Sequence, residues 1–589
     1  MLASASFLHS PNRLLRWLPI ESITEIRSSP ALSTELDGPI LYWLSASARC
    51  ESNYALESAV EIARACNREV AIVFFIDPRY PNANERSFRF LLEGLLEANL
   101  GLKRRGLKLC VKYCRRDLDI PSLVIQYLQR CRVPCLILDC GYSRVARLWR
   151  DQVKRNSNPR MNIILIEDLV LVPTKLVSTT PVDSAKELRE RQKPHLDRFA
   201  NIECPTVSEN ECKLYTDPHE NDKDSNYWPL EEVEDIDKIL DCISTCVGKE
   251  SFHYVPASTG FKGGCIEAKK HLATFMRDHL CSYKTLRNKP ECRCQSKLSS
   301  YLHYGQINVA YIVRNVKRHK SASWEDKYKF LDAVVCRREV AINHVLHEPD
   351  HDNFDCLPTW AKTSMTDQHR SIEKKLLSRE HLERALTPDA LWNAAQQELV
   401  FMGKMHGYLR MYWCKQILRW QAPKEAVETA VWLNDKYSLD GRDPNGHFGV
   451  MWCFGKQDHP FSPSRPVFGT LRPMTLSGVR SKFDTNKYVN FIKKECARLS
   501  QIYPILADRG PKEDIRQSLF FGTINGRSNN INTDAHGSAD DDEGNDYDES
   551  KKRPFEVIEV KGNNSSSGDF KKVKASKPIT EFFQFKNPN

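Results

Sequence analysis

With 589 residues, 41% of them apolar and 28% charged, the chain exceeds what one hydrophobic core organises. No apolar run approaches the roughly 20 residues of a membrane-spanning helix, so a soluble protein with no membrane partner is expected. The net charge is +10, and because residues 528–550 carry eight acids and neither Lys nor Arg, +18 falls on the rest, a balance that favours a polyanionic partner.

Residues 1–36 carry Arg13, Arg16 and Arg27 with no acid before Glu21, and read as an N-terminal extension, either disordered or an organelle transit peptide. Over 37–172, short apolar runs (40–44, 70–76, 107–113, 135–139 and 163–167) alternate with helical stretches. Continuous apolar strands separated by helices predict a Rossmann-like parallel sheet covered on both faces, an α/β domain. Residues 173–255 are polar and proline-punctuated and read as an interdomain linker. Helical periodicity then holds over 256–504, predicting an all-α domain, and 505–589 read as a disordered tail.

The 20 cysteines are scattered, and no secretory apolar segment lies near Met1, which predicts reduced thiols in an intracellular protein. Cys281, Cys292 and Cys294 lack paired ligand spacing. His344, His347 and His351 surround the helix end before Pro349, so no metal is expected.

Within the helical region, His406, Arg410, Trp413, Ile417 and Trp420 recur at i, i+4, i+7, i+11 and i+14, one face of a single predicted helix. A core stripe explains the tryptophans. It does not explain the arginine, since a buried guanidinium needs a carboxylate or an anionic ligand, and Asp440 is the candidate partner. Glu339 shares an apolar stripe with Val335, Ile342 and Leu346, where a lone carboxylate is costly; it needs a ligand, or a salt bridge with Arg337 or Arg338.

The segments W-N-A-A-Q (392–396), K-M-H-G-Y-L-R-M-Y-W (404–413) and L-N-D-K-Y-S-L-D-G-R-D-P-N-G (433–446) together resemble the flavin-binding domain of class II cyclobutane pyrimidine dimer photolyases. Y-K-T-L-R-N (283–288) and L-S-S-Y-L-H-Y-G-Q-I (298–307) extend the resemblance, which runs more weakly from about Pro39 to Tyr503. R-C-E-S-N-Y-A-L (49–56) departs from the family pattern at Ser52 and Tyr54.

The resemblance implies FAD as cofactor, ultraviolet-damaged DNA as partner, a monomer, and light-driven carbon–carbon lyase chemistry; whether an antenna pigment also binds is not legible. It assigns FAD phosphate and ribose to Tyr283, Leu298, Ser299, Ser300, Tyr301 and Leu302. Arg410 pairs with Asp440 beside the flavin ring, and Asn434 faces flavin N5. Trp413, Trp392 and Trp420 become an electron relay, with Trp392 in the middle and Trp420 at the surface. Glu339, Met411 and Trp452 fall at lesion-binding positions, as do His459 and Phe461 in an altered loop, 455–461.

A flavin photoreceptor signalling through its tail is the alternative reading. In that tail, Ile579, Phe582 and Phe583 resemble a sliding-clamp-binding peptide. Basic clusters at 551–553 and 571–577 point to the nucleus, with the N-terminus adding an organelle as a second destination.

Overall fold

The computed structural model describes residues 15–507 except 28–31, 34, 115–117, 207–212, 218–226, 229 and 372–375. The predicted tail lies outside the described residues from 508 onward, clamp-like motif and basic clusters included, while its first three residues belong to a short helix, Pro504–Ala507.

Five parallel strands form the centre of one sheet: β2 (Ile40–Trp43), β3 (Glu69–Ile76), β4 (Leu109–Tyr113), β5 (Cys135–Asp139) and β6 (Asn162–Ile166). Their order is β6-β5-β2-β3-β4. Ile40 registers with Val70 on one side and Cys135 on the other, so β2 is the strand at which the order reverses. Helices α1 (Tyr54–Ala65), α2 (Glu85–Lys103), α3 (Ile120–Arg130) and α4 (Arg144–Asn156) connect these strands. The central strands are buried on both faces, which is why each reads as an unbroken apolar run.

Two boundaries differ from the sequence reading. Residues 23–27, within the predicted extension, form β1 (Ile23–Arg27) and pair antiparallel with β6. The predicted linker is largely folded in its described parts: β7 (Lys213–Leu214) pairs with β3, β8 (Tyr227–Trp228) pairs antiparallel with β4, and α5 (Ala185–Gln192) and α6 (Val233–Val247) are helices. Edge strands this short bury little area. Their pairing comes from a sheet edge already in place, and no local periodicity announces it.

The second half is helical, with α7 (Cys265–Asp278), α8 (Ser299–His303), α9 (Val309–Arg318), α10 (Trp324–Asp332), α11 (Arg338–His347), α12 (Thr359–Ser371), α13 (Ala390–Met402), α14 (Gly407–Ile417), α15 (Pro423–Tyr437), α16 (Pro444–Cys453) and α17 (Thr485–Ile502). α11 packs on α16, and α13 on both α14 and α17. A π-helical turn, Ala333–Arg337, leads from α10 into α11.

Buried Arg86 on α2 joins the two halves. Its guanidinium donates to Leu399 O (3.3 Å) and Val400 O (2.8 Å) near the end of α13, to Tyr437 O (2.9 Å) at the end of α15, and to Pro256 O (3.0 Å). Leu399 O also accepts the Gly403 N–H at 3.0 Å, but carbonyls in the last turn of a helix lack intrahelical partners, so one cation serves both helix ends at once.

Candidate functional site

The segment S-L-D-G-R-D-P-N-G (438–446) turns sharply between α15 and α16. A Cβ on Gly441 would stand 2.5 Å from Asn434 O, so only glycine allows this approach. Asp443 then caps α16 by accepting the Asn445 N–H at 2.8 Å, with Pro444 at the first helical position. The turn presents Asp440 to four groups.

Asp440 Oδ1 accepts from Arg410 Nη2 at 2.9 Å and from the Ser438 hydroxyl, while Oδ2 accepts from Lys404 Nζ at 2.8 Å and Ser299 Oγ at 2.6 Å. Burial opposes the charge on Asp440, but Arg410 and Lys404 beside it win and hold its carboxyl well below the usual carboxylate range. One anion thus faces two cations whose side chains are only 15% and 14% exposed, leaving an excess positive charge at the site. Sequence reasoning found the Arg410–Asp440 pair and missed Lys404 and Ser438, although Ser438 stands only two residues from Asp440.

Asn434 is buried, and its Nδ2 donates to Asp435 Oδ1 at 3.2 Å. α8 has no side-chain cap at its N-terminus. Ser300, in its first turn, is fully buried with its Oγ unpartnered, an arrangement that calls for a polar ligand. Leu298, Tyr301 and Leu302 are buried, and the Tyr301 hydroxyl donates to Lys262 O at 2.9 Å, so it is already occupied. Tyr283 lies half-buried edge-on against Phe275 and Phe330.

The three tryptophans form one column. Trp392 stacks on Trp413 with centroids 6.1 Å apart and planes 9° apart, and meets Trp420 edge-on at 5.4 Å. Trp392 Nε1 donates to Trp413 O and Trp413 Nε1 to Gln396 Oε1, each at 2.9 Å. These bonds fix the rings. Two expectations change here: α14 ends at Ile417, so His406 is its N-cap and Trp420 lies beyond it, and Trp420 is buried rather than at the surface. The column depends on a turn and a neighbouring helix, which a single-helix projection omits.

The predicted lesion residues do not converge fully. Met411 is exposed; Trp452 is half-buried, with the Arg337 guanidinium 5.4 Å from its ring centre. His459 is exposed and Phe461 half-buried, 6.0 Å from the Arg472 guanidinium. Glu339 points elsewhere, with Oε1 accepting from Leu171 N at 2.7 Å and Oε2 from Gln192 Nε2 at 2.5 Å. Its stripe is buried as expected, but Ile342 and Leu346 pack onto the core of the α/β domain. Of the two alternatives, the salt bridge with Arg337 or Arg338 is not formed; amide groups satisfy the carboxylate.

Burial pushes Glu339 up to about 7, while the Leu171 N–H, Arg338 and the Gln192 amide pull the other way. Its folded pKa lies above its unfolded one, so its contribution to stability is fully present below the unfolded value of 4.5 and is lost as pH rises through about 7. Glu339→Gln keeps the neutral form throughout, and its amide can donate to Gln192 Oε1, which is buried and unpartnered. The variant is expected to gain on the order of 1–3 kcal/mol over the wild type between about pH 5 and about pH 8. Urea denaturation across that range checks this; parallel pH curves for the two proteins would show that Glu339 does not titrate there.

A cleft of about 180 Å³ opens where the strand order reverses, beyond the carboxyl ends of β2, β3 and β5, and the 438–446 turn forms part of its wall through Arg442, Asp443 and Pro444. Trp43, Tyr80, Tyr142 and Trp149 line it, with Arg150, Arg338 and Arg442 as cations and Asp77, Asp139 and Asp443 as acids. Crevices at such switch points bind ligands in open α/β sheets.

Residues 40–209 match the DNA photolyase family. The chain is 33% identical over 456 residues to a deoxyribodipyrimidine photo-lyase of Methanothermobacter thermautotrophicus, covering 77% of this chain and 94% of that one. It is 31% identical over 461 residues to one of Arabidopsis thaliana, covering 77% and 89%. A bacterial class III photolyase from Agrobacterium tumefaciens shares the fold, with a TM-score of 0.56 at 16% identity over 83% of this chain and 93% of that one.

Proposed function

Since this chain belongs to the DNA photolyase family, we propose that it is a class II enzyme that repairs cyclobutane pyrimidine dimers in ultraviolet-damaged DNA, using light and reduced FAD. The observation that carries this reading is the Asp440 cradle, an anion held between two cations, with the buried, unpartnered Ser300 Oγ one residue from its ligand Ser299. When bound, FAD supplies the light-driven one-electron chemistry.

The chain's own residues prepare the site. The excess positive charge of Arg410 and Lys404 over Asp440 stabilises an anionic ring. Asn434 commits its Nδ2 to Asp435, which leaves its carbonyl oxygen to accept a proton-bearing nitrogen of the ring. The uncapped start of α8 and the Ser300 hydroxyl suit phosphate and ribose oxygens. Trp420, Trp392 and Trp413, in contact in that order, would pass electrons towards a bound flavin.

On the DNA side, Met411, Trp452 and Phe461 offer polarisable and flat surfaces to a pyrimidine dimer turned out of the duplex, a step that photolyases share with other base-flipping enzymes. Arg337 above Trp452 adds positive charge to this face. Glu339, tied to Leu171 and Gln192, acts in this reading on the packing of α11 rather than on the dimer. The cleft at the strand switch point suits a second, planar chromophore.

The test is repair itself. Purified protein carrying reduced FAD is incubated with a dimer-containing oligonucleotide in light and in darkness, and thymine absorbance is followed. Recovery in light alone is expected. Full flavin occupancy with no recovery under strong light would favour the photoreceptor reading.

A further inference from the structure

The turn after α11 carries His351 and Asp352, and α16 carries His447. One nitrogen of each imidazole and one carboxylate oxygen of Asp352 lie within 4.8 Å of one another. His351 Nε2 stands 4.0 Å from Asp352 Oδ2, and the two imidazoles are 5.5 Å apart and tilted by 38°. The His351 and His447 side chains are 3% and 10% exposed, and Asp352, at 24%, opens to solvent. Two nitrogens and one oxygen form a donor set suited to a borderline divalent ion, and spacing along the chain could not show it because His447 comes from a different helix.

Two further features point to a ligand. His447 Nε2 is held by both oxygens of the Asp435 carboxylate, at 3.1 and 3.0 Å, which leaves Nδ1 as its free donor. An outer carboxylate of this kind commonly orients a metal-binding imidazole. The buried His351 ring, by contrast, has a single contact within hydrogen-bond distance among the described residues, a long one of 3.4 Å between Nδ1 and Arg144 Nη2.

Arg144 is the competitor. Its Nη2 donates to Asp352 Oδ1 at 2.8 Å and its Nη1 to Oδ2 at 3.2 Å, so a guanidinium now neutralises the carboxylate. Nη2 also donates to Pro349 O at 2.6 Å, and the side chain is 42% exposed, so on leaving Asp352 it can keep that carbonyl or turn to solvent.

We propose that His351, Asp352 and His447 bind one divalent transition-metal ion of the zinc class, with water completing its coordination, and that the ion displaces Arg144 from Asp352. Ligands 2.0–2.2 Å from a tetrahedral ion stand about 3.3–3.6 Å apart, so the three donors must close by about 1 Å. Asp352, on a solvent-facing turn, supplies that movement. The bound ion pins the turn after α11 to α16, and through Asp435 it reaches the residue next to Asn434. In exchange it releases an ion pair between α4 of the α/β domain and the helical domain.

Full-length protein is stripped with a chelator and titrated with Co²⁺, followed by visible absorption and by metal content per chain after dialysis. One ion per chain is expected, with the bands of a nitrogen and oxygen site. His351→Ala and Asp352→Asn should each weaken binding by more than the roughly 10–100-fold that loss of an outer-shell partner costs. Arg144→Gln should bind more tightly than wild type. Circular dichroism confirms that each variant folds, and the conservative Asp352→Asn carries the test if His351→Ala does not. No stoichiometric ion, or binding unchanged in the folded ligand variants, would place any metal on thiols elsewhere and overturn the site. Arg144→Gln binding no tighter than wild type would overturn the competition.

Discussion

Asp440→Ala is expected to yield protein without bound flavin whose unfolding free energy falls by about 3–5 kcal/mol, the cost of leaving a buried charge without its partner. The size of the effect follows from what the carboxylate holds. Arg410 at 2.9 Å and Lys404 at 2.8 Å would face each other across an empty position, and the hydroxyls of Ser299 and Ser438 would lose their acceptor. Asp440→Asn keeps the shape and removes the charge, so it should retain packing but still lose most of the flavin.

Lys404→Met in the Asp440→Ala background removes one of the two stranded cations, and should recover part of the lost stability without recovering the flavin. Urea denaturation and the visible absorbance of reconstituted protein separate the two effects. Normal flavin content in Asp440→Ala would mean that the cradle serves the packing of α8, α14 and α15 and not a cofactor.

Trp392→Phe is expected to abolish light-driven reduction of the bound flavin while leaving the flavin in place. Trp392 touches both other rings of the column, so its loss interrupts every route through it, and phenylalanine fills most of the space but is far harder to oxidise. Losing the indole N–H bond to Trp413 O costs about 1 kcal/mol, so a modest loss of stability accompanies the effect. Trp420→Phe cuts only the far end of the column and should slow reduction less. The measurement is flavin absorbance under steady illumination with an external thiol. An unchanged rate in Trp392→Phe would exclude the column as the relay, whatever its geometry.

Several features of this protein were legible from its sequence because they depend on local pattern. The five central strands appear as continuous apolar runs because both of their faces are covered, and no partner had to be known to see that. The need of Arg410 for a carboxylate follows from the cost of desolvating a guanidinium, and the resemblance singled out Asp440 among the neighbouring acids. The resemblance of 392–446 ordered the three tryptophans, and the rings touch in that order.

What the sequence left open depends on contacts between distant segments. Strands β1, β7 and β8 are short and take their structure from a sheet edge, so 23–27 and parts of 173–255 carried no strand signal of their own. Glu339 lies on the buried stripe expected for it, but periodicity says only that a face is covered, and the Leu171 N–H and Gln192 amide come from segments at least 147 residues away. Trp420 is buried because the chain folds back beyond Ile417. His351, Asp352 and His447 meet because α16 packs on α11. Local periodicity can state that a polar group must be satisfied, but the identity of its partner is set by which helices pack together, and only the tertiary structure decides that.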